Sequence, residues 1–247
     1  MTTEPLTRPT ELSELSELPG LSGLSELLRL AEHVTSWHEQ PTAADVLGLV
    51  PAAALGLVGA AVHAATSTTH RGHGPLIVAA SDAAARALDT VQGDLDQGPV
   101  AHTVLDEPVI SVPDLTADPR WPALSRWSLT AGVRSVLVLR LTSSRHRATS
   151  LTLSSPQPDA FDARAHAIAV ALARHAGAAV TALSKQEHLT LALSRRDVIG
   201  QAKGMLKERL QMTDDQAFAL LTRWSQERNI KLHQLAEDMS RGGPVDV

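Results

Sequence analysis

Cysteine and tyrosine are absent from the 247-residue chain, and its four lysines all lie at or beyond position 185. Without a thiol there is no disulfide framework, no Cys-ligated zinc or iron–sulfur centre and no cysteine nucleophile. Without a lysine, residues 1–184 build neither a P-loop, which ends in Gly-Lys-Ser/Thr, nor a Schiff-base site. The lysine that a phosphoacceptor receiver domain keeps beside its aspartate is missing there as well. The aromatics are Trp37, Trp121, Trp127, Phe161, Phe218 and Trp224, too few for a sheet on which bases stack. No run approaches the ~18 uninterrupted apolar residues of a membrane span. The acidic, proline-containing start MTTEPLTRPT is unlike a signal peptide, so a cytoplasmic protein with no membrane partner is expected.

What is present is divided unevenly. The chain carries 22 Lys plus Arg against 27 Asp plus Glu, a net −5, and its 43% hydrophobic content suffices for one large domain or two. Residues 1–184 hold 12 Arg and 18 acids, whereas residues 185–241 hold ten basic residues and eight acids. An acidic body with a basic end suits a polyanionic partner, although a solvated helical face gives the same balance.

Residues 11–28 place Leu at 12, 15, 18, 21, 24 and 27. A period of three drifts around an α-helix, and Pro19-Gly20 interrupts it, so residues 1–24 are expected to form a flexible leader or a transient docking helix. Ordered structure is expected from Ser25. Ala43–Leu55 then reads as a helix, Leu57–Thr66 as a buried strand, residues 69–74 as a turn and Pro75–Ser81 as its hairpin partner. A short helix over Asp82–Thr90, a loop at 92–99, a small helix, a strand at Val109–Val112 and a proline-bounded stretch follow. Ser135–Leu141 has apolar residues in succession, as in a strand buried on both faces, and Ala148–Ser154 alternates as its antiparallel partner. This order describes an α+β domain with one antiparallel sheet and flanking helices.

From Phe161 to about Leu210 there is no proline, and Phe161, Ala165, Ile168, Leu172, Ala176, Ala179 and Leu183 follow the 3-and-4 spacing of a coiled-coil-like seam. The seam either packs on the sheet or pairs two subunits, and both hold if its front and rear halves divide the tasks. A homodimer through the helix over 161–193 is expected. Within residues 195–210, Val198, Ile199, Ala202, Met205, Leu206 and Leu210 gather on one side. Arg196, Gly200, Lys203 and Lys207 form a separate stripe about 120° around, with Gly204 beside it. A glycine inside a helix costs ~1 kcal/mol relative to Ala, so two on one face call for close passage of another backbone. Thr213-Asp214-Asp215-Gln216 matches a capping box, Ala217, Leu220, Leu221 and Trp224 make a buried stripe with Phe218 on its flank, and Asn229 is placed to cap a last helix burying Leu232, Leu235, Ala236 and Met239.

The run Arg196-Asp197-Val198-Ile199-Gly200-Gln201-Ala202-Lys203-Gly204 resembles the ANTAR family of RNA-binding transcription antiterminators. Ala217-Phe218, Leu220-Leu221, Ser225, Asn229, Lys231-Leu232 and Ala236 continue the likeness. The resemblance implies a dimer that binds paired hairpin loops in nascent transcripts and prevents a terminator from forming. Lys207 departs from the apolar residue relatives often carry there, and adds charge to the stripe. Upstream, Gln97-Gly98-Pro99, Val109–Val112 with Asp114-Leu115, Asp118-Pro119-Arg120-Trp121-Pro122 and Gly132-Val133-Arg134-Ser135 resemble a GAF domain. Where such relatives often show Gly-Pro-Cys this chain has Gly98-Pro99-Val100, which leaves thiol-based sensing or a covalently attached bilin without its cysteine.

The expected organisation is a leader (1–24), a GAF-like sensor (25–182), an ANTAR unit (183–241) and a tail (242–247). The RNA-binding residues implied are Arg196, Lys203 and Lys207 on phosphates, Gly200 and Gly204 admitting the strand, Gln201 and Asn229 at base edges, and Lys231. Arg120 and Trp121 either close the mouth of a ligand pocket for an unknown small molecule or form a packed surface loop. His63, His70 and His73 lack the spacing of a metal site, and no paired carboxylates sit near a base or nucleophile, so no metal, cofactor or catalytic residue is expected. A DNA-binding regulator is disfavoured because the last helix offers Lys231, His233 and Gln234 against Glu237 and Asp238. A GAF-type small-molecule enzyme would need a thiol or a metal cluster.

Overall fold

The computed structural model describes residues 22–70, 73–100 and 107–241; the leader repeat through Leu21, the small helix read between Ala101 and Asp106, part of the 69–74 turn and the tail lie outside the described residues. The elements are α1 (Ser22–His38), α2 (Ala43–Leu57), β1 (His63–His70), β2 (Leu76–Ala80), α3 (Ala83–Leu95), β3 (Val109–Val112), α4 (Pro122–Ala131), β4 (Ser135–Ser143), β5 (Arg147–Ser155), α5 (Ala163–Leu210), α6 (Asp214–Glu227) and α7 (Leu232–Ser240). The chain separates into two compact units at Ser184/Lys185.

The first unit is an antiparallel sheet in the order β2-β1-β5-β4-β3. β4 is buried on both faces, as its apolar run predicts. Leu137, Leu139 and Leu141 enter a core with α1, α2 and α5, while Val136 and Val138 enter a second core with Leu88 of α3 and Leu124 of α4. In the first core Ala165, Leu172, Ala176, Ala179 and Leu183 of α5 pack with Leu151 and Leu153 of β5, so the front of the expected seam covers its own sheet. α5 contains an 18-residue window of mean hydropathy 1.4. Of that window 39% is buried, and the α5 residues from Ala165 to Leu183 that face the sheet lie in the first core.

Gly177 of α5 lies where a β-bulge between Arg140 and Thr142 interrupts the β4–β5 ladder. A Cβ at Gly177 would fall inside the contact radius of the Leu141 carbonyl oxygen. The helix therefore needs glycine there to seat on the bulged strand.

Two readings shift. Leu57 closes α2 instead of opening a strand, and β1 begins at His63. Its polar run Thr66-Ser67-Thr68-Thr69 is buried because hydroxyls pair across the ladder, Ser67 with Ser150 at 3.3 Å and Thr68 with Thr149 at 3.2 Å. Thr66 also donates to the Leu47 carbonyl at 2.9 Å. That carbonyl is the one Pro51, which has no N–H, leaves without its helical partner, so α2 continues through the proline. α3 runs past Thr90 to Leu95 and ends with Asp96 left-handed. The Gln97-Gly98-Pro99 turn behind it is specific. Gly98 takes φ +126° against the Gln92 side chain, Gln92 Oε1 accepts from the Val100 amide at 2.9 Å, and Gln97 Oε1 accepts from the Ala123 amide at 2.9 Å.

One carboxylate is sealed between α3 and the sheet. Asp89 is fully buried, with Thr152 Oγ1 at 3.5 Å, Gln92 Nε2 at 3.3 Å and the Ser67 hydroxyl around it. Burial pushes its pKa from 3.8 up to about 6, against the opposing hydrogen bonds of Ser67 and Thr152.

The folded state holds this proton more tightly than the unfolded chain. Asp89 therefore favours folding most at about pH 4 and below, and that contribution is lost as pH rises through about 6. Asp89→Asn is expected to remove this slope and to stabilise the protein at neutral pH by roughly 2–3 kcal/mol, read by urea unfolding of both proteins from about pH 4 to 8. Gly177→Ala is expected to destabilise by about 1–3 kcal/mol through displacement of the bulge, read by thermal unfolding.

Candidate nucleic-acid interface

The second unit is built by the end of α5 with α6 and α7 around Ala202, Leu206, Ala217, Leu221, Trp224, Leu235, Ala236 and Met239. These are residues the helical spacing assigned inward. α5 stops at Gln211, left-handed at φ 49°. α6 starts on the predicted capping box: Thr213 Oγ1 accepts from the Gln216 amide at 3.3 Å, and Gln216 Oε1 accepts from the Thr213 amide at 2.9 Å.

Asn229 does not cap α7. It sits two residues earlier in the left-handed region at φ 51°, a conformation Asn tolerates better than most residues, and Lys231 holds the cap position without a side-chain bond. The corner is closed instead by Ser225, whose hydroxyl donates to the Ile230 carbonyl at 2.6 Å.

Opposite the core, α5 presents Arg196, Gly200, Gln201, Gly204 and Lys207, all exposed, with Lys203 half-buried among them. A Cβ at Gly200 or Gly204 would meet nothing within 4 Å. Among the described residues no backbone outside α5 approaches either glycine, so the expected close passage is not made by them and the space beside both stands open. A groove of about 890 Å³ runs along this face. Arg195, Arg196 and Lys203 bring positive charge to it, Asp197 one negative charge, and Gly200 and Gln201 its polar floor. Ala192, Ile199 and Phe218 supply its apolar wall. Asn229 and Lys231 are exposed at the α6–α7 corner and do not line it.

Two residues of this face carry more than the sequence assigned them. Asp214, the first residue of α6, takes Lys203 Nζ at 2.6 Å and Lys207 Nζ at 3.4 Å. The Lys203 hydrogen bond, with Lys207 adding to it, holds the Asp214 carboxyl below its ordinary range. Both lysines of the stripe thus rest on one carboxylate at a helix N-terminus, where negative charge is favoured. Phe218, read as a flank of the buried stripe, is 46% exposed with Lys203 Nζ 6.0 Å from its ring centroid. The i, i+4 spacing of Asp214 and Phe218 was the available signal; that both turn toward α5 depends on the tertiary packing.

In the first unit, Trp121 is buried in the second core. The Arg120 guanidinium lies 4.3 Å from its ring centroid and is bound twice by Asp118, at 2.7 and 3.0 Å. Both residues thus have packing roles. Asp114 and Arg134, from two separate stretches of the GAF-like pattern, form an ion pair. His63 and His70 occupy opposite ends of β1, ~23 Å apart at strand rise, and His63 Nδ1 meets Asp82 at 2.9 Å.

A family model described as a GAF domain matches residues 40–181, more than half of the chain, and one described as an ANTAR domain matches residues 187–239. A search of curated protein sequences finds no match. Among solved structures, the GAF domain of a phosphoenolpyruvate-protein phosphotransferase from Coxiella burnetii aligns with a TM-score of 0.51 at 16% identity, covering 67% of this chain and 98% of that one. The Stigmatella aurantiaca phytochrome photosensory core module aligns at 0.56 and 11% identity, covering 81% of this chain and 44% of that one. Bacteriophytochrome RpBphP3 from R. palustris aligns at 0.53 and 9% identity, covering 85% and 54%. This chain spans about half the length of those two phytochromes. At these identities the likeness is one of fold.

Because the capping box positions Asp214, Thr213→Ala is expected to cost about 1 kcal/mol and to speed hydrogen exchange at the Gln216 amide, while the first unit is unaffected.

Proposed function

Because the chain belongs to the GAF family and ends in an ANTAR domain, we propose that it is a cytoplasmic, dimeric regulator whose ANTAR unit binds paired hairpin loops in nascent RNA and prevents transcription termination. That it is a GAF-regulated ANTAR regulator follows from the two domains themselves. The observation that carries the RNA reading is the open face of α5. There, two glycines leave room for a strand beside Arg196, Lys203 and Lys207, and no described residue of the unit fills that room. Phosphates take the cations, and Gln201 reaches base edges from the same groove. Asn229 and Lys231 belong to a second contact at the α6–α7 corner.

Two loops call for two units, and a symmetric pair supplies them. Leu189 and Leu193, one turn apart on α5, are 67% and 59% exposed and give the stretch before the stripe an apolar face for a second copy. We read the GAF unit as a sensor of a small-molecule ligand and not as an enzyme. A ligand that favours one arrangement of the dimer changes the spacing of the two RNA sites and so their ability to hold both loops. The seating of α5 residues up to Leu183 in the first core supports a cytoplasmic protein.

Filter binding of a two-hairpin RNA against duplex DNA tests the reading. The wild type is expected to prefer RNA, with affinity falling steeply as salt rises. Lys203→Glu with Lys207→Glu is expected to abolish hairpin binding and leave the circular dichroism spectrum unchanged. Retained affinity in that variant would remove both lysines from the site, and equal binding of duplex DNA would overturn the RNA assignment.

A further inference from the structure

Of the six aromatic side chains, Trp37, Trp121 and Trp224 are buried, Trp127 and Phe161 are half-buried, and Phe218 alone is exposed, at 46%. Leaving a large apolar ring in water forfeits burial that the other five obtain. The ring stands at a particular place. It forms the α6 wall of the groove whose α5 side carries Arg196 and Lys203, and the Lys203 ammonium lies 6.0 Å from its centroid. An aromatic plane and three cations, Arg195, Arg196 and Lys203, with Asp197 the one carboxylate, therefore border one open space, beside a glycine that contributes no side chain to it.

We propose that Phe218 is a stacking platform for one unpaired nucleobase of the bound RNA loop. The occupant is argued from charge and shape together. A flat π surface beside clustered cations matches a nucleotide, which pairs a flat base with an anionic phosphate, and matches an apolar peptide poorly. Lys203 is the hinge of the arrangement. In the free protein its ammonium is shared between Asp214 at 2.6 Å and the Phe218 ring, over which it lies 6.0 Å from the centroid. In the complex the phosphate of the stacked nucleotide takes the place of the Asp214 carboxylate. The ring supplies affinity that does not depend on counterion release, whereas Arg196, Lys203 and Lys207 supply the part that does. Stacking accepts any base, so specificity at this position comes from Gln201, on the α5 side of the same groove.

This inference rests on the RNA reading above, and the experiment separates the two. A two-hairpin RNA pool with randomised loops is enriched on the full-length protein, and 2-aminopurine is then placed at each loop position of the recovered sequence. The fluorescence of one position is expected to be quenched by the wild type and by Phe218→Trp but not by Phe218→Leu. Phe218→Leu is expected to weaken binding roughly 5- to 150-fold, the range one base–aromatic stack carries, with an unchanged slope of log affinity against log salt. Failure to enrich any RNA overturns the RNA reading itself. Tight wild-type binding with full affinity in Phe218→Leu, a loss accompanied by a shallower salt slope, or no quenched position on the wild type overturns the stacking role while leaving that reading intact.

Discussion

Each face of an α-helix that enters a core is withdrawn from any other use, and α5 is asked to serve two cores in succession. Its residues from Ala165 to Leu183 are committed to the sheet, and Ala202 and Leu206 to the small bundle. In the bundle only about a third of the circumference is consumed, by the apolar stripe, because α6 and α7 pack from one side. The remainder is free to carry Arg196, Gly200, Gly204 and Lys207. The open face exists because the core is one-sided, and its two glycines are tolerated because the same helix is anchored by packing at both ends.

Much of this was legible in the sequence where a residue's immediate neighbours decide its fate. The double-sided burial of β4 follows from consecutive apolar residues, the capping box from the Thr-x-x-Gln spacing, and the inward stripe of the bundle from 100° per residue. The stretches resembling a GAF domain turn out to be joints of the fold: Gly98 folds under the Gln92 side chain, and Asp114 reaches Arg134. Where tertiary partners decide, the sequence was mute. The strand read over Leu57–Thr66 in fact begins at His63 and runs on through Ser67, Thr68 and Thr69 to His70, because β5 beside it supplies partners for the hydroxyls of Ser67 and Thr68. Asn229 had the chemistry of an N-cap but occupies a left-handed position two residues before the cap.

The same distinction runs through the candidate site. The cations and glycines of α5 share one helix and could be placed by periodicity. Asp214 and Phe218 come from the next helix, and their approach to Lys203 depends on how α6 folds back. Arg120 and Trp121 could be read as the rim of a pocket or as a packed loop; Asp118 binds Arg120 and the second core takes in Trp121.

The seat that Asp214 occupies on Lys203 and Lys207 makes entry of any anion a swap. A solitary inorganic phosphate or mononucleotide exchanges one exposed ion pair for another of similar worth and gains little. A polymer that engages several cations at once accumulates the surplus, because after its first foothold the remaining contacts form within a single molecule. If RNA binds as proposed, the tethered carboxylate acts as a filter on valence, favouring a polymer over a solitary anion.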